Sequence, residues 1–347
     1  MPAKKQVSSL FQTVGSDTAI GLDIGTYSIK VAQIRKKRFS HKSFLSFGIK
    51  EISEPRSHSS IVSAIKAVCN ETRIDSNKVK LSIYGPEIIM RYITLPALES
   101  FDLSHCLDFE LERYIPGKQR SNMIIDYKIL YRLPNNQMVV LLIALDKEIM
   151  QERVSLVREA GLDPQSVNVD SLALMEAYKA QGASGKGDEI AAILDIGYSV
   201  SKLVVFQADT PYFSRDISTS GVASFLQLVS GHLNLEPAKA REFIFEPGER
   251  AKEVFEALRL NLESLRDELR LSFEYCGRNL QKKVSRLYLS GGGSKIKMLA
   301  ESLSASLNLS ALLLDVTGAF VVSSSLSQEK IKELSPLIPV AVGLAMG

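Results

Sequence analysis

Asp23 and Asp195 each stand at the end of an apolar run, and each opens the tripeptide Asp-Ile-Gly. The first run reads Ala19-Ile-Gly-Leu-Asp-Ile-Gly25 and the second Ala191-Ala-Ile-Leu-Asp-Ile-Gly197. Lys30 follows the first aspartate by seven residues and Lys202 follows the second by seven, and apolar segments, Val31 to Ile34 and Leu203 to Phe206, continue both. One Asp-Ile-Gly marks an ordinary turn. Two with matched flanks encode two equivalent strand-turn-strand units. Glycine in such a turn lets backbone amides approach a phosphate chain that a side chain would hold away. An aspartate at the strand end supplies the oxygen ligand that magnesium prefers, commonly through water. The candidate binding residues are therefore Gly25, Thr26, Tyr27 and Ser28 in one turn and Gly197, Tyr198 and Ser199 in the other, with Asp23 and Asp195 as candidate metal ligands.

A third motif, Leu287-Tyr-Leu-Ser-Gly-Gly-Gly-Ser294, runs a strand into three glycines ahead of the helical segment Ile296 to Leu307. Gly291, Gly292 and Gly293 would let backbone and a helix N-terminus close on a nucleotide. Standing alone, the same residues would read as a flexible strand-to-helix turn. Asp170 precedes a helical run, Ser171 to Tyr178, and is suited to cap it.

Taken together, these motifs resemble the actin-like ATPase superfamily, which includes actin, sugar kinases and bacterial cytoskeletal proteins. The resemblance implies an α/β fold of two lobes, each with a duplicated ribonuclease-H-like core, with ATP and Mg2+ held between them. It sets the three glycines against the adenosine. Val167-Asn-Val-Asp-Ser-Leu-Ala-Leu174 is similar to the connecting helix of the superfamily. That likeness implies Asp170 opposite the terminal phosphate as a catalytic group orienting the attacking water, beside its reading as a cap. On the helix after the second hairpin the superfamily often carries Ala-Glu-x-x-Lys. Here Ala238-Lys-Ala-Arg-Glu242 reverses the charges, and Lys239 and Glu242 are not counted as site residues.

These motifs must be positioned by ordinary globular cores. The 347 residues are enough for two domains. With 45% hydrophobic and 23% charged residues the balance is that of a folded protein with a sizeable core, far from the disordered and membrane classes. A net charge of +3, with both signs interspersed, asks for no nucleic-acid partner. Cys69, Cys106 and Cys276 have neither disulfide nor zinc spacing, which fits a reducing compartment. The longest strongly apolar run, Met138 to Leu145, is strand-sized, and the N-terminus lacks the apolar core of a secretory signal. A cytoplasmic protein is expected.

Along the chain, residues 1–17 form an arm with Val7, Leu10, Phe11 and Val14 at helical spacing. Strands follow at Ala19 to Ile24, Ile29 to Arg35 and Phe44 to Ile52, with the basic cluster Arg35 to Arg38 in a solvated turn, and then a helix whose apolar face holds Ile61, Ile65 and Val68. The first lobe is expected over 18–187, its core being 18–80 and 146–187. Between them lies an inserted α+β subdomain, 81–145, with strands at Lys80 to Tyr84, Ile88 to Leu95, Ile124 to Tyr131 and Met138 to Leu145 and a helix at Leu103 to Tyr114. Asp146 is placed to cap a helix from Lys147 to Ala160. Residues 181–188, rich in Gly, Ser and Lys, read as a linker to the second lobe, 188–334. Within that lobe Val254, Leu258, Leu262, Leu265, Leu269, Phe273, Cys276 and Leu280 line one face of a long core helix. Residues 335–347 are expected as a buried terminal helix on the first lobe.

Within the superfamily, an insert between the halves of the first lobe resembles FtsA and PilM. Arg91-Tyr-Ile-Thr-Leu-Pro96, Phe109-Glu-Leu-Glu-Arg-Tyr-Ile-Pro116, Ile125-Asp-Tyr127 and Pro339-Val-Ala-Val-Gly-Leu-Ala345 are similar to the patterns of the PilM family of type IV pilus assembly proteins, although Gly117-Lys-Gln-Arg120 replaces a second aromatic-proline pair. This resemblance implies an ATP-binding scaffold, at most a slow ATPase. It would recruit the cytoplasmic N-terminal peptide of a PilN-like inner-membrane protein and meet other inner-membrane pilus components. The alternatives are an FtsA-like cell-division filament protein, which would need a basic amphipathic helix that residues 335–347 do not supply, and a small-molecule kinase.

Overall fold

A computed structural model of the chain describes residues 18–35, 43–85, 88–97, 103, 106–107, 122–133, 135–180, 189–207, 210–322 and 326–347. The expected arm 1–17, the basic turn after Arg35, most of the expected helix 103–114 with the loop after Pro116, and the linker 181–188 lie outside them.

The chain opens with β1 (Thr18–Ile24), β2 (Ser28–Arg35) and β3 (Phe44–Glu51), consecutive antiparallel neighbours. Helix α1 (His58–Thr72) starts where Ser57 Oγ accepts from the Ser60 amide at 3.3 Å, stops at left-handed Arg73, and buries Val62, Ile65 and Val68. β4 (Lys78–Ile83) returns parallel to β1. Next come β5 (Ile89–Pro96), β6 (Met123–Leu133) and β7 (Gln137–Asp146), which form a separate three-stranded sheet ordered β5-β7-β6. Asp146 then caps α2 (Lys147–Glu159), accepting from the Glu148 amide at 3.0 Å.

After α2, β8 (Asp163–Val169) pairs parallel with β4, and α3 (Asp170–Ala180) follows. The second half gives β9 (Ile190–Ile196), β10 (Ser201–Gln207), β11 (Thr210–Ile217), α4 (Val222–Leu233), α5 (Pro237–Phe245), α6 (Ala251–Leu280), β12 (Val284–Ser290), α7 (Lys297–Leu307) and β13 (Ser310–Leu313). The chain closes with β14 (Val321–Val322), α8 (Gln328–Leu334) and α9 (Pro339–Met346).

The two larger sheets are ordered β14-β3-β2-β1-β4-β8 and β11-β10-β9-β12-β13. Each therefore contains the order third, second, first, fourth, fifth. Sheet membership differs from the expected ranges in two places. β4 spans the start of the expected insert at residue 81 yet lies in the first sheet, because a parallel strand there satisfies the open edge of β1. β14 returns to the first sheet beside β3 at residues 321–322, ahead of residue 335.

Four cores result. The first sheet packs on α1 and α2, and the second on α4, α5, α6 and α7. As the spacing predicts, α6 buries Val254, Leu258, Leu262, Leu265, Leu269 and Cys276 in the second core. The small sheet buries its own cluster with Leu103 and Leu107. The fourth core joins the two large sheets through α3 and α9, where Tyr178 sets its ring edgewise on Phe206 at 4.5 Å and on Tyr288 at 5.2 Å. Every residue from Pro339 to Ala345 is buried, with α9 lying on β1, β2 and α3. Two glycines permit this approach. A Cβ on Gly21 would come 2.0 Å from the Ala341 carbonyl oxygen, and one on Gly343 1.7 Å from that of Ala173. The buried side chains of Val340, Val342 and Leu344 each contribute roughly 1.5–3 kcal/mol.

Candidate functional site

Antiparallel register places each lysine of the repeat opposite its aspartate, Asp23 against Lys30 and Asp195 against Lys202. Each turn closes alike, the Gly25 amide donating to the Ser28 carbonyl and the Gly197 amide to the Val200 carbonyl, both at 3.1 Å. The fourth strand of each sheet supplies a serine to the same carboxylate. Ser82 Oγ on β4 donates to Asp23 at 3.3 Å, and Ser290 Oγ on β12 donates to Asp195 at 2.6 Å. The sequence repeat is thus also a repeat of side-chain environments.

The lysines break the symmetry. Lys30 Nζ donates to Asp23 at 3.1 Å. Lys202 turns from Asp195 and sits between Asp170, at 3.2 Å, and Asp216 of β11. Burial opposes the charge on Lys202, but the two carboxylates outweigh it and hold the ammonium above its usual range. One ammonium cannot fully serve two acids. Burial, with Asp216 and Asp195 adding repulsion against the pull of Lys202, pushes the Asp170 carboxyl up to about 7. Asp170 Oδ1 also accepts from the Ser171 amide at 2.8 Å, so it is an ion-pair partner at the helix start as well as a local backbone acceptor. Burial likewise raises Asp195, against the Ser290 hydrogen bond.

Asp23, Gly25, Thr26, Tyr27, Ser28, Asp170, Asp195, Gly197, Tyr198, Ser199, Gly291 and Gly292 line one cavity of about 1070 Å³ between the two large sheets. Gly293 does not line it. Its Cα faces back onto β9, where a Cβ would lie 2.1 Å from Ile196 Cγ2. Gly291 has φ +79°, and its amide donates to the Pro336 carbonyl at 2.8 Å. At Gly292 a Cβ would meet nothing within 4 Å. Beside these glycines Lys295 and Lys330 both donate to Glu333 at 2.6 Å and hold its carboxyl down at about 2.

The cavity mouth holds a group that the sequence reading missed. Tyr27 and Tyr198, one from each turn, stack with centroids 4.8 Å apart, and Ser199 Oγ donates to Thr26 Oγ1 at 2.9 Å. The Arg56 guanidinium lies 4.9 and 4.6 Å from the two ring centroids, and that of Arg241 lies 4.7 Å from Tyr27. Glu51 accepts from Tyr27 Oη at 2.7 Å and from Arg241 at 2.8 Å. Burial and the Glu51 hydrogen bond push the Tyr27 phenol up to about 12, so it keeps its proton. Arg241 comes from α5, on which Lys239 and Glu242 pair with each other at 2.7 Å in solvent. That helix does serve the cavity, through a residue between the two set aside.

Among the described residues no three histidine, cysteine or acidic side chains gather as a preformed metal cluster, and no helix is long and apolar enough to cross a membrane. The geometry is that of a cleft between two equivalent hairpins, lined by the carboxylates Asp23, Asp170 and Asp195 among lysines and apolar side chains.

The solved PilM-PilN type IV pilus biogenesis complex is similar over 94% of this chain and 97% of that one, at 25% identity and a TM-score of 0.81. Fold-level similarity extends to ethanolamine utilization protein EutJ from Carboxydothermus hydrogenoformans, with 13% identity, TM-score 0.55, and 96% and 91% of the chains covered. It extends also to MreB 5 of Spiroplasma citri bound to AMPPNP, with 11% identity, TM-score 0.52, and 95% of each chain covered. The sheets have the α/β actin-like fold of these proteins. Because residues 21–347, which include both hairpins, the inserted sheet and α9, match the family described as Type IV pilus assembly protein PilM, the chain belongs to that family.

Proposed function

We propose that this protein is an ATP-binding scaffold of type IV pilus assembly that docks the cytoplasmic tail of a PilN-like inner-membrane protein. The observation that carries the nucleotide half is the convergence of two equivalent Asp-Ile-Gly turns and a glycine turn on one cavity. Gly25 to Ser28 and Gly197 to Ser199 would hold the phosphates, and Gly291 and Gly292 the adenosine, with Gly293 setting the turn against β9. Mg2+ fits the donor set, which is all oxygen. Asp23 and Asp195 are carboxylates at strand ends lining one cavity, and a divalent cation beside them would offset the burial, and the lesser repulsion from Asp23, that raise Asp195. When bound, Mg2+ would neutralise phosphate charge. Asp170 would accept a proton from, or orient, a water near neutral pH. Its engagement with Lys202 favours slow turnover.

Membership of the family carries the partner half, together with the solved PilM-PilN complex that this chain matches along nearly its whole length. The small sheet is the candidate docking element. Its outer strands β5 and β6 expose Arg91 and Ile129, and extended peptides are captured at such edges. The sheet also leans on the second lobe. Tyr92 Oη donates to Ser214 Oγ at 3.5 Å, and Tyr131 packs 5.2 Å from Tyr212. The FtsA-like alternative finds no support in α9, whose residues from Pro339 to Ala345 are buried instead of presenting a membrane-lying face. The protein would remain cytoplasmic and meet the inner membrane and other pilus components through partners.

The test is calorimetric titration of a PilN-type cytoplasmic peptide against the intact protein and the exposed-site variants Arg91→Glu and Ile129→Glu. Binding by the wild type with at least a tenfold loss in one variant is expected. Equal binding by all three would move the dock elsewhere, and no binding by the wild type would remove the partner.

A further inference from the structure

The two hairpin lysines between them meet three of the four aspartates around them. Lys30 Nζ lies 3.1 Å from Asp23, and Lys202 Nζ sits between Asp170, at 3.2 Å, and Asp216. Asp195 alone of the four has no ammonium or guanidinium within ion-pair distance among the described residues.

The difference between the two hairpin aspartates reaches single oxygens. Both oxygens of Asp23 are engaged, Oδ1 accepting from Ser82 Oγ at 3.3 Å and Oδ2 from Lys30 Nζ at 3.1 Å. At Asp195 only Oδ1 is engaged, accepting from Ser290 Oγ at 2.6 Å. Gly291 closes on that same oxygen, since a Cβ there would lie 2.9 Å from it. Asp195 Oδ2 takes no hydrogen bond among the described residues, and Asp195 lines the cavity, so this oxygen is left for a ligand. A carboxylate oxygen so placed suits a hard divalent cation, which seeks oxygen donors. An oxygen already bound to an ammonium suits it poorly, because two like charges would then crowd one acid. Ser290 makes the remaining oxygen of Asp195 useful. It ends β12 directly across from Asp195 in the parallel β9–β12 register and is fully buried, so strand pairing fixes where its hydroxyl points its bond. A hydrogen bond behind a metal ligand of this kind sets the ligand's orientation.

We propose that Asp195, through Oδ2, is the cation ligand of the cleft and that Ser290 is the positioning residue that orients it, while Asp23 is committed to Lys30. This rests on the nucleotide and magnesium reading proposed above. The two halves of the repeat then differ in role. The first hairpin carries its own cation on Lys30, and the second offers an oxygen to an added one, because Lys202 has turned to Asp170 and Asp216.

Calorimetric titration of ATP in Mg2+ and again in EDTA, into the wild type, Ser290→Ala, Ser82→Ala and Asp195→Asn, tests it. The ratio of the two affinities is the share of binding that the metal carries, and circular dichroism would confirm that each variant folds. The wild type is expected to bind ATP at least tenfold tighter in Mg2+. Ser290→Ala should lower that ratio at least fivefold with its affinity in EDTA kept within twofold, a loss near the roughly tenfold typical when the group behind a metal ligand is removed. Asp195→Asn should bring the ratio close to one. Ser82→Ala should hold it within twofold of the wild type, since Asp23 keeps Lys30. A ratio that Ser290→Ala leaves unchanged, whether or not both affinities fall together, would overturn the assignment and leave the nucleotide site standing. So would a ratio that falls alike in both serine variants or survives in Asp195→Asn. A wild type whose ATP binding ignores Mg2+ would remove the magnesium reading, and one that binds no ATP would remove the nucleotide reading; either takes this assignment with it.

Discussion

Replacing Asp170 by asparagine should reverse part of the pH dependence of stability. Asp170 is 8% exposed, and its carboxyl titrates at about 7 in the folded chain against 3.8 when free. Because its folded value is raised, the folded state binds the proton more tightly than the unfolded one. The stabilisation is present at low pH and disappears as pH rises through about 7. With these values, protonation of this group favours folding by about 2.7 kcal/mol at pH 5 and by almost nothing at pH 8. Lys202 stays charged throughout this window, since its carboxylates hold it above its usual range. Asp195, raised chiefly by burial, is present in both proteins. Asparagine keeps the shape and cannot ionise. Urea unfolding followed by circular dichroism at pH 5 and pH 8 should therefore show the variant gaining about 2–3 kcal/mol on the wild type between the two. A difference that stays constant with pH would refute the reasoning, because it would mean that the carboxyl is already ionised at pH 5.

Gly292→Phe projects a ring into the cavity, where a Cβ has open space around it, and should weaken ATP at least tenfold without loss of fold, as read by calorimetry. Gly343→Ala drives a methyl against the Ala173 carbonyl oxygen and should cost about 3 kcal/mol in urea unfolding, an unchanged midpoint excluding the close approach of α9 to α3.

The hairpins were legible in the sequence because turn chemistry is local. A glycine, an aspartate and a lysine at fixed spacing specify the turn and the register, and the structure pairs Asp23 with Lys30 and Asp195 with Lys202 as that spacing requires. Helix α6 was legible through its long apolar stripe, and α2 through its capping aspartate. β8 was not. Asp163-Pro-Gln-Ser166 has no alternation of apolar residues and contains a proline, which an edge strand tolerates where a central one would not. β14, two residues long, exists only because the edge of β3 accepts it. Which acids Lys202 would choose was equally hidden, since Asp170 and Asp216 reach it from a helix and a neighbouring strand that only the folded chain brings together. Arg241, Arg56 and Glu51 are far apart in sequence and carry no motif. Their meeting at the mouth is a property of how the two sheets face each other.

Helix α9 also constrains the order in which the molecule is made. It covers β1, β2 and α3, so the first sheet exposes an apolar surface until residues 339–346 have left the ribosome. Roughly 160 residues separate α3 from α9, on the order of ten to thirty seconds of synthesis. For that interval the nascent first lobe is a natural client for chaperones. Clipping the chain just before Pro339 would therefore recreate, in a finished protein, the sticky surface of an unfinished one.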